Sequence, residues 1–142
     1  MIVAIDYGER KVGIAISDES ETFAFPKFVV ERELFEANPR ILEGRLENFE
    51  LVTEIIIGLP KNLKGINTIQ TEKVMVFFEM VKYTYPDKRV ILFDERFTSK
   101  IFEKCLKIHG RSPRSFKKTK DMYEACIILE DYLQGKKNET AE

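Results

Sequence analysis

The apolar segments of this chain arrive in two rhythms, and their order restricts the fold more than any other feature. Three short runs come first with no helical stretch between them, at residues 1–5, 12–17 and 26–30. Two more, residues 54–57 and 90–93, come later, and a stretch with apolar residues at helical spacing precedes each. Strands joined by tight turns pair antiparallel, whereas strands separated by helices need crossover connections and pair in parallel. The expectation is an α/β chain: a mixed five-stranded sheet, three antiparallel strands plus two parallel strands, flanked by helices.

Local signals fill in the connections. Residues 7–11, with Gly8, form a turn between the first two strands. Asn38-Pro39 opens a helix that carries Leu42, Leu46 and Phe49, since proline is tolerated in a first turn. Gly58-Leu59-Pro60 ends the fourth strand, and Asn67 or Thr68 caps a helix with Val74, Phe77, Phe78 and Val81 on one stripe. Thr98 or Ser99 caps another, with Ile101, Phe102, Cys105 and Leu106, that Gly110 ends. Thr119 caps the last helix, with Asp121 in its first turn and Ala125, Ile128, Leu129 and Tyr132 facing inward. A polar tail frays from Gly135. The division expected is one domain, residues 1–135, and a tail, residues 136–142.

With 142 residues the chain has the size of one domain. Such a domain buries roughly 68–70% of its unfolded surface, enough to fold without a disulfide or a structural metal. Hydrophobic residues make up 44%, which excludes a disordered chain. The two cysteines, Cys105 and Cys126, have neither metal-ligand spacing nor a disulfide framework and read as buried thiols in a reducing compartment. No run approaches the roughly 20 apolar residues of a membrane span. The first run meets Asp6 too early for a secretory signal, so a soluble cytoplasmic protein with no membrane partner is expected.

The acids fall at telling places. Asp6 ends the first strand, Asp94 and Glu95 end the last, and Asp121 starts the final helix. Ligands of open sheets bind outside the carboxyl ends of the strands. Neighbouring parallel strands would bring these remote acids to one edge. Carboxylates gathered there repel one another unless a cation neutralises them. Oxygen donors suit Mg²⁺ or Mn²⁺, and a pair of such ions about 3.5–4 Å apart can clamp both oxygens of an in-line phosphoryl displacement. Each acid alone has a plainer use: an Asx-turn for Asp6, an ion pair with Arg96 or Lys100 for Glu95, a helix-dipole contact for Asp121. Their joint placement is the stronger signal.

A net charge of -1 means that a nucleic-acid partner must meet a local basic patch. One exists between residues 100 and 120, where Lys100, Lys104, Lys107, Arg111, Arg114, Lys117, Lys118 and Lys120 face a single acid, Glu103. For Lys100, Lys104 and Lys107 a solvated helix face serves equally well. From Arg111 onward the density of unbalanced charge, with Ser112 and Ser115 as donors, fits a loop that tracks a phosphate backbone. His109 reads as a helix C-terminal cation, and Phe116 as either a stacking or an anchoring ring.

These residues resemble a known family. Asp6-Tyr7-Gly8-Glu9-Arg10-Lys11-Val12-Gly13-Ile14-Ala15-Ile16-Ser17-Asp18 is similar to the opening motif of the YqgF/RuvX family. Ile55-Ile56-Ile57-Gly58-Leu59-Pro60-Lys61-Asn62 with Gly65 resembles its second motif, and Asp94-Glu95-Arg96-Phe97-Thr98-Ser99 its third. Asp121 followed by Ala125, Ile128, Leu129, Tyr132 and Leu133 resembles its fourth. The likeness spans nearly the whole chain. It implies an RNase H-like fold and a nuclease that processes the 5′ end of pre-16S rRNA, in a family earlier assigned to Holliday junction resolution. It implies catalytic, metal-holding acids at Asp6, Glu95 and Asp121, with Asp94 a further candidate. Nucleic-acid contacts are expected at Arg10, Lys11, Asn62, Arg96, Arg111, Arg114, Lys117 and Lys118, and the likeness implies close backbone approach at Gly8. The order Arg10-Lys11, residues 66–71 and Glu124 depart from the family's usual pattern, and none of these touches the three acids.

Two rivals stand beside this reading. An ATP-using kinase or actin-like protein also places an Asp-x-Gly strand end near phosphate, but needs two lobes. A non-catalytic nucleic-acid-binding module would keep the fold and use no metal. The partner expected is a structured RNA precursor or branched DNA. Junction resolution would call for a homodimer, whereas trimming an RNA end needs only a monomer.

Overall fold

The computed structural model describes residues 1–59, 69–94 and 120–140. Five strands form one sheet: β1 (Ile2–Tyr7), β2 (Lys11–Ser17), β3 (Ala24–Glu31), β4 (Glu54–Leu59) and β5 (Arg89–Asp94), in the order β3-β2-β1-β4-β5. The first three pair antiparallel, and β4 and β5 join β1 in parallel, as expected.

Sequence dictates the strands' depth. Ile55, Ile56 and Ile57 of β4 are all fully buried, because a parallel strand between two others has helices over both faces. Each such side chain withdraws roughly 1.5–3 kcal/mol of apolar surface from water. Along β1 the period of two separates the layers. Val3, Ile5 and Tyr7 join one cluster with Val74, Phe77 and Val81 of α3 (Ile69–Thr84). Ile2 and Ala4 join the other, with Ala125, Ile128 and Leu129 of the last helix, Lys120–Thr140, here α4.

The turn between β1 and β2 closes with the Gly8 N–H donating to the Lys11 carbonyl at 2.9 Å. A Cβ on Gly8 would stand 2.5 Å from that same oxygen, so the turn itself demands glycine. At the other end of β2, the Ser17 hydroxyl accepts the Ile2 N–H at 2.8 Å. Asp18 ties off the β2–β3 loop by accepting the N–H groups of Thr22 and Phe23 at 2.7 and 3.0 Å.

The helix expected from Pro39 through Phe49 is a broken one. Two short helices, α1 (Arg32–Ala37) and α2 (Ile41–Arg45), precede a 3₁₀ turn at Phe49–Leu51. Leu46 is already extended and Asn48 adopts φ 57°, a left-handed conformation that ends regular helix. Leu42, Leu46 and Phe49 are buried nonetheless. The frayed tail is also corrected: α4 continues past Gly135 to Thr140, and Lys136 binds Glu54 at 2.6 Å. The expected helix around Ile101 and Leu106, the caps Asn67, Thr68, Thr98, Ser99 and Thr119, and Cys105 lie outside the described residues. Cys126 is buried, and its thiol donates to the Ala24 carbonyl.

Candidate active site

The carboxyl edge of the sheet is built from the end of β1 outward. Ile2 and Ala4 face α4, so the strand period places Asp6 on the same face, where it is half-buried. Its neighbour in β2 is Gly13 and its neighbour in β4 is Gly58. Both residues directly opposite Asp6 are therefore glycines. Across a sheet, side chains at such positions normally stand about 4.5–5.5 Å away and would crowd anything bound to the carboxylate.

Tyr7 points the other way and packs against α3. Its ring lies 4.4 Å, centroid to centroid, from Phe77 of α3, with the Arg32 guanidinium 5.5 Å above it. Its hydroxyl donates to Glu36 Oε1 at 3.3 Å. Burial above all, then the Glu36 carboxylate, pushes the phenol above its ordinary value, against the opposing pull of Arg32.

The course of α4 follows from its partners. Ile128 lies against Gly58, near the carboxyl end of β4. Tyr132 and Lys136, one and two turns later, bond Glu54 at the amino end of the same strand. The helix descends across the sheet, so its first turn, with the backbone of Asp121, lies toward the edge that carries Asp6. Small residues under the helix, Ala4, Ala15 and Ala24, let it sit low. Both backbone groups of Ala24 are met by α4: the N–H donates to Glu130 at 3.3 Å and the carbonyl accepts from Cys126.

Among the residues expected at the site, Asp6 lies at this edge, and the first turn of α4, with the backbone of Asp121, points toward it. Asp94 closes β5, its backbone paired with Leu59. Arg10, in the turn after β1, and Lys11, the first residue of β2, are exposed, and the Arg10 carbonyl accepts the Arg32 N–H at 2.8 Å. Glu95, Asn62, Arg96, Arg111, Arg114, Lys117 and Lys118 lie outside the described residues. Among the described residues, no three His, Cys, Asp or Glu form a group that could hold a metal ion. The two glycines beside Asp6 were not singled out as a pair from the sequence, because strand register is a long-range property.

Residues 1–135 match the RuvX family, described as Holliday junction resolvase. Several curated relatives carry the name "Putative pre-16S rRNA nuclease". One from Maridesulfovibrio salexigens is 40% identical over 93% of this chain and 96% of its own length. One from Desulforudis audaxviator is 33% identical over 96% of each chain. One from Caldanaerobacter subterraneus subsp. tengcongensis is 34% identical over 96% of this chain and 98% of its own. No helix among the described residues is long and apolar enough to cross a membrane. By the family match over residues 1–135 and the relatives at 33–40% identity, the chain belongs to the RuvX family, nucleases of the RNase H-like fold that hydrolyse ester bonds.

Proposed function

We propose that this chain is a divalent-metal-dependent endonuclease of the cytoplasm that trims the 5′ end of the pre-16S rRNA precursor. The observation that carries the proposal is the half-buried Asp6, with Gly13 and Gly58 as its two register partners, at the edge toward which the first turn of α4 points. Asp6, Glu95 and Asp121 would hold the ion or ions. The donor set fits the metal: carboxylate oxygens suit Mg²⁺ or Mn²⁺, and the chain has one His, while Cys126 is buried against Ala24. When bound, such ions supply charge neutralisation for the acids and electrostatic stabilisation of a phosphodiester undergoing displacement. The protein's own part is to bind and orient. The exposed Arg10 and Lys11 flank the acid edge and meet the phosphate backbone, with Asn62, Arg96, Arg111, Arg114, Lys117 and Lys118 assigned the same task.

The family's description favours a second substrate, a four-way DNA junction. Cleavage of a labelled precursor RNA and of a labelled junction, each with Mg²⁺, Mn²⁺ or EDTA, separates the two. Cleavage of the RNA is expected with either metal and not with EDTA. Asp6→Asn is expected to lower the rate at least a hundredfold and to bind RNA within about threefold of wild type. Equal cleavage by wild type and Asp6→Asn would reject the site, and cleavage of the junction alone would reassign the substrate.

A further inference from the structure

Gly58 stands at a crossing of two structures. Its register partners are Asp6 on β1 and Phe93 on β5, and above it lies Ile128 of α4. A Cβ built on Gly58 would fall inside the van der Waals envelope of Ile128 Cδ1, with Cγ1 at 3.1 Å and Cγ2 at 3.4 Å. Ile128 is fully buried, so its branched side chain has little room to turn aside. Either Ile128 adopts a strained rotamer or the helix rises. Asp121 precedes Ile128 by seven residues, two helical turns, so its Cα lies on the same side of the axis about 10.5 Å further along. The height of α4 above Gly58 is thus the height at which Asp121 approaches the strand that carries Asp6.

We propose that Gly58 is a positioning residue: the missing side chain sets how closely α4, and with it Asp121, approaches Asp6. Gly58 touches neither substrate nor metal and acts through Ile128. The neighbouring floor has the same character, since Ala4 and Ala15 are register partners beneath the helix. At position 58 one added methyl would reach the helix side chain that shares a face with Asp121. This inference rests on the metal-holding role proposed for Asp6 and Asp121.

The test is a double-mutant cycle of Gly58→Ala and Ile128→Val, in which valine lacks the Cδ1 atom of the closest approach. Mn²⁺ binding is read by the electron paramagnetic resonance signal of the free ion, and cleavage is titrated with Mn²⁺ in parallel. Thermal melts establish that each variant is folded. In the wild-type background Gly58→Ala is expected to weaken Mn²⁺ binding at least tenfold and to raise the metal needed for half-maximal cleavage by the same factor. In the Ile128→Val background the same substitution is expected to cost less than threefold. Equal costs in the two backgrounds overturn the proposal, as does wild-type Mn²⁺ binding by Gly58→Ala. Should Gly58→Ala fail to fold, a weakening of tenfold or more between Ile128→Val and the double variant overturns it too. Asp6→Asn serves as the separate control. If it binds Mn²⁺ like wild type, the metal site itself is wrong, whatever the cycle shows.

Discussion

Gly8 and Gly58 both lack a side chain close to Asp6, for unlike reasons. At Gly8 the obstacle is backbone: an added Cβ would stand 2.5 Å from the Lys11 carbonyl oxygen, which itself accepts the Gly8 N–H. That oxygen cannot swing away without opening the turn. Gly8→Ala is therefore expected to lower stability by about 1–3 kcal/mol, read as a reduced urea midpoint. A variant as stable as wild type would mean that the turn has slack. The turn alone accounts for glycine at position 8, whatever close approach to metal or phosphate it also permits. Asp6 was legible because a charge ending a buried strand is conspicuous within six residues. Its pairing with Gly13 and Gly58 was not, since that depends on which of three strands pair and in what register.

Among the elements, strands were easier to read than helices. The β-branched run of β4 has no other economical use than a buried strand, and β1 through β3 follow one another too closely for crossovers. Helices α1 and α2 span six and five residues, too short to show a period, and tertiary contacts hold them. Phe35 illustrates this: fully buried, its ring lies 5.3 Å from that of Phe77 in α3. The end of α4 was misplaced because Gly135 looks like a stop, whereas the anchor comes from β4. Burial pushes the Glu54 carboxyl up, but the hydrogen bonds from Lys136 and Tyr132 outweigh it and hold the group below its ordinary 4.5. A carboxylate depressed in the folded state adds stability that is complete above the unfolded value and fades as pH falls through the folded one. Wild type should thus lose stability relative to Glu54→Gln as pH drops below about 4.5, the unfolded value. At pH 7 the variant should be less stable by about 1–3 kcal/mol, the worth of a charge-assisted bond. Denaturant melts of both proteins between pH 3 and 7 check this. A gap between them that stays constant across that range would show that Glu54 contributes no charge-dependent anchor.

At the scale of the whole molecule the sheet has a polarity. Strands β1, β4 and β5 all end at the edge that carries Asp6, Gly58 and Asp94, while α3 returns the chain to the opposite edge. With a net charge of only -1, recognition of a polyanion has to be local, and the proposal assigns it to the carboxyl edge. Arg10 and Lys11 are exposed beside Asp6. Lys82, in the last turn of α3, is exposed on the far side of the fold. Each phosphate contact contributes about 0.7–0.9 to the slope of log affinity against log salt concentration. Replacing both Arg10 and Lys11 with glutamine should weaken RNA binding and flatten that slope by about 1.4–1.8, two contacts' worth. Lys82→Gln carries the same loss of charge per site but removes no contact, and should leave the slope unchanged. Filter binding of precursor RNA from 50 to 300 mM KCl, with EDTA present so that no strand is cut, measures both. An equal effect from Lys82→Gln would mean that the protein attracts RNA by its overall field, and the edge would lose its claim to the substrate.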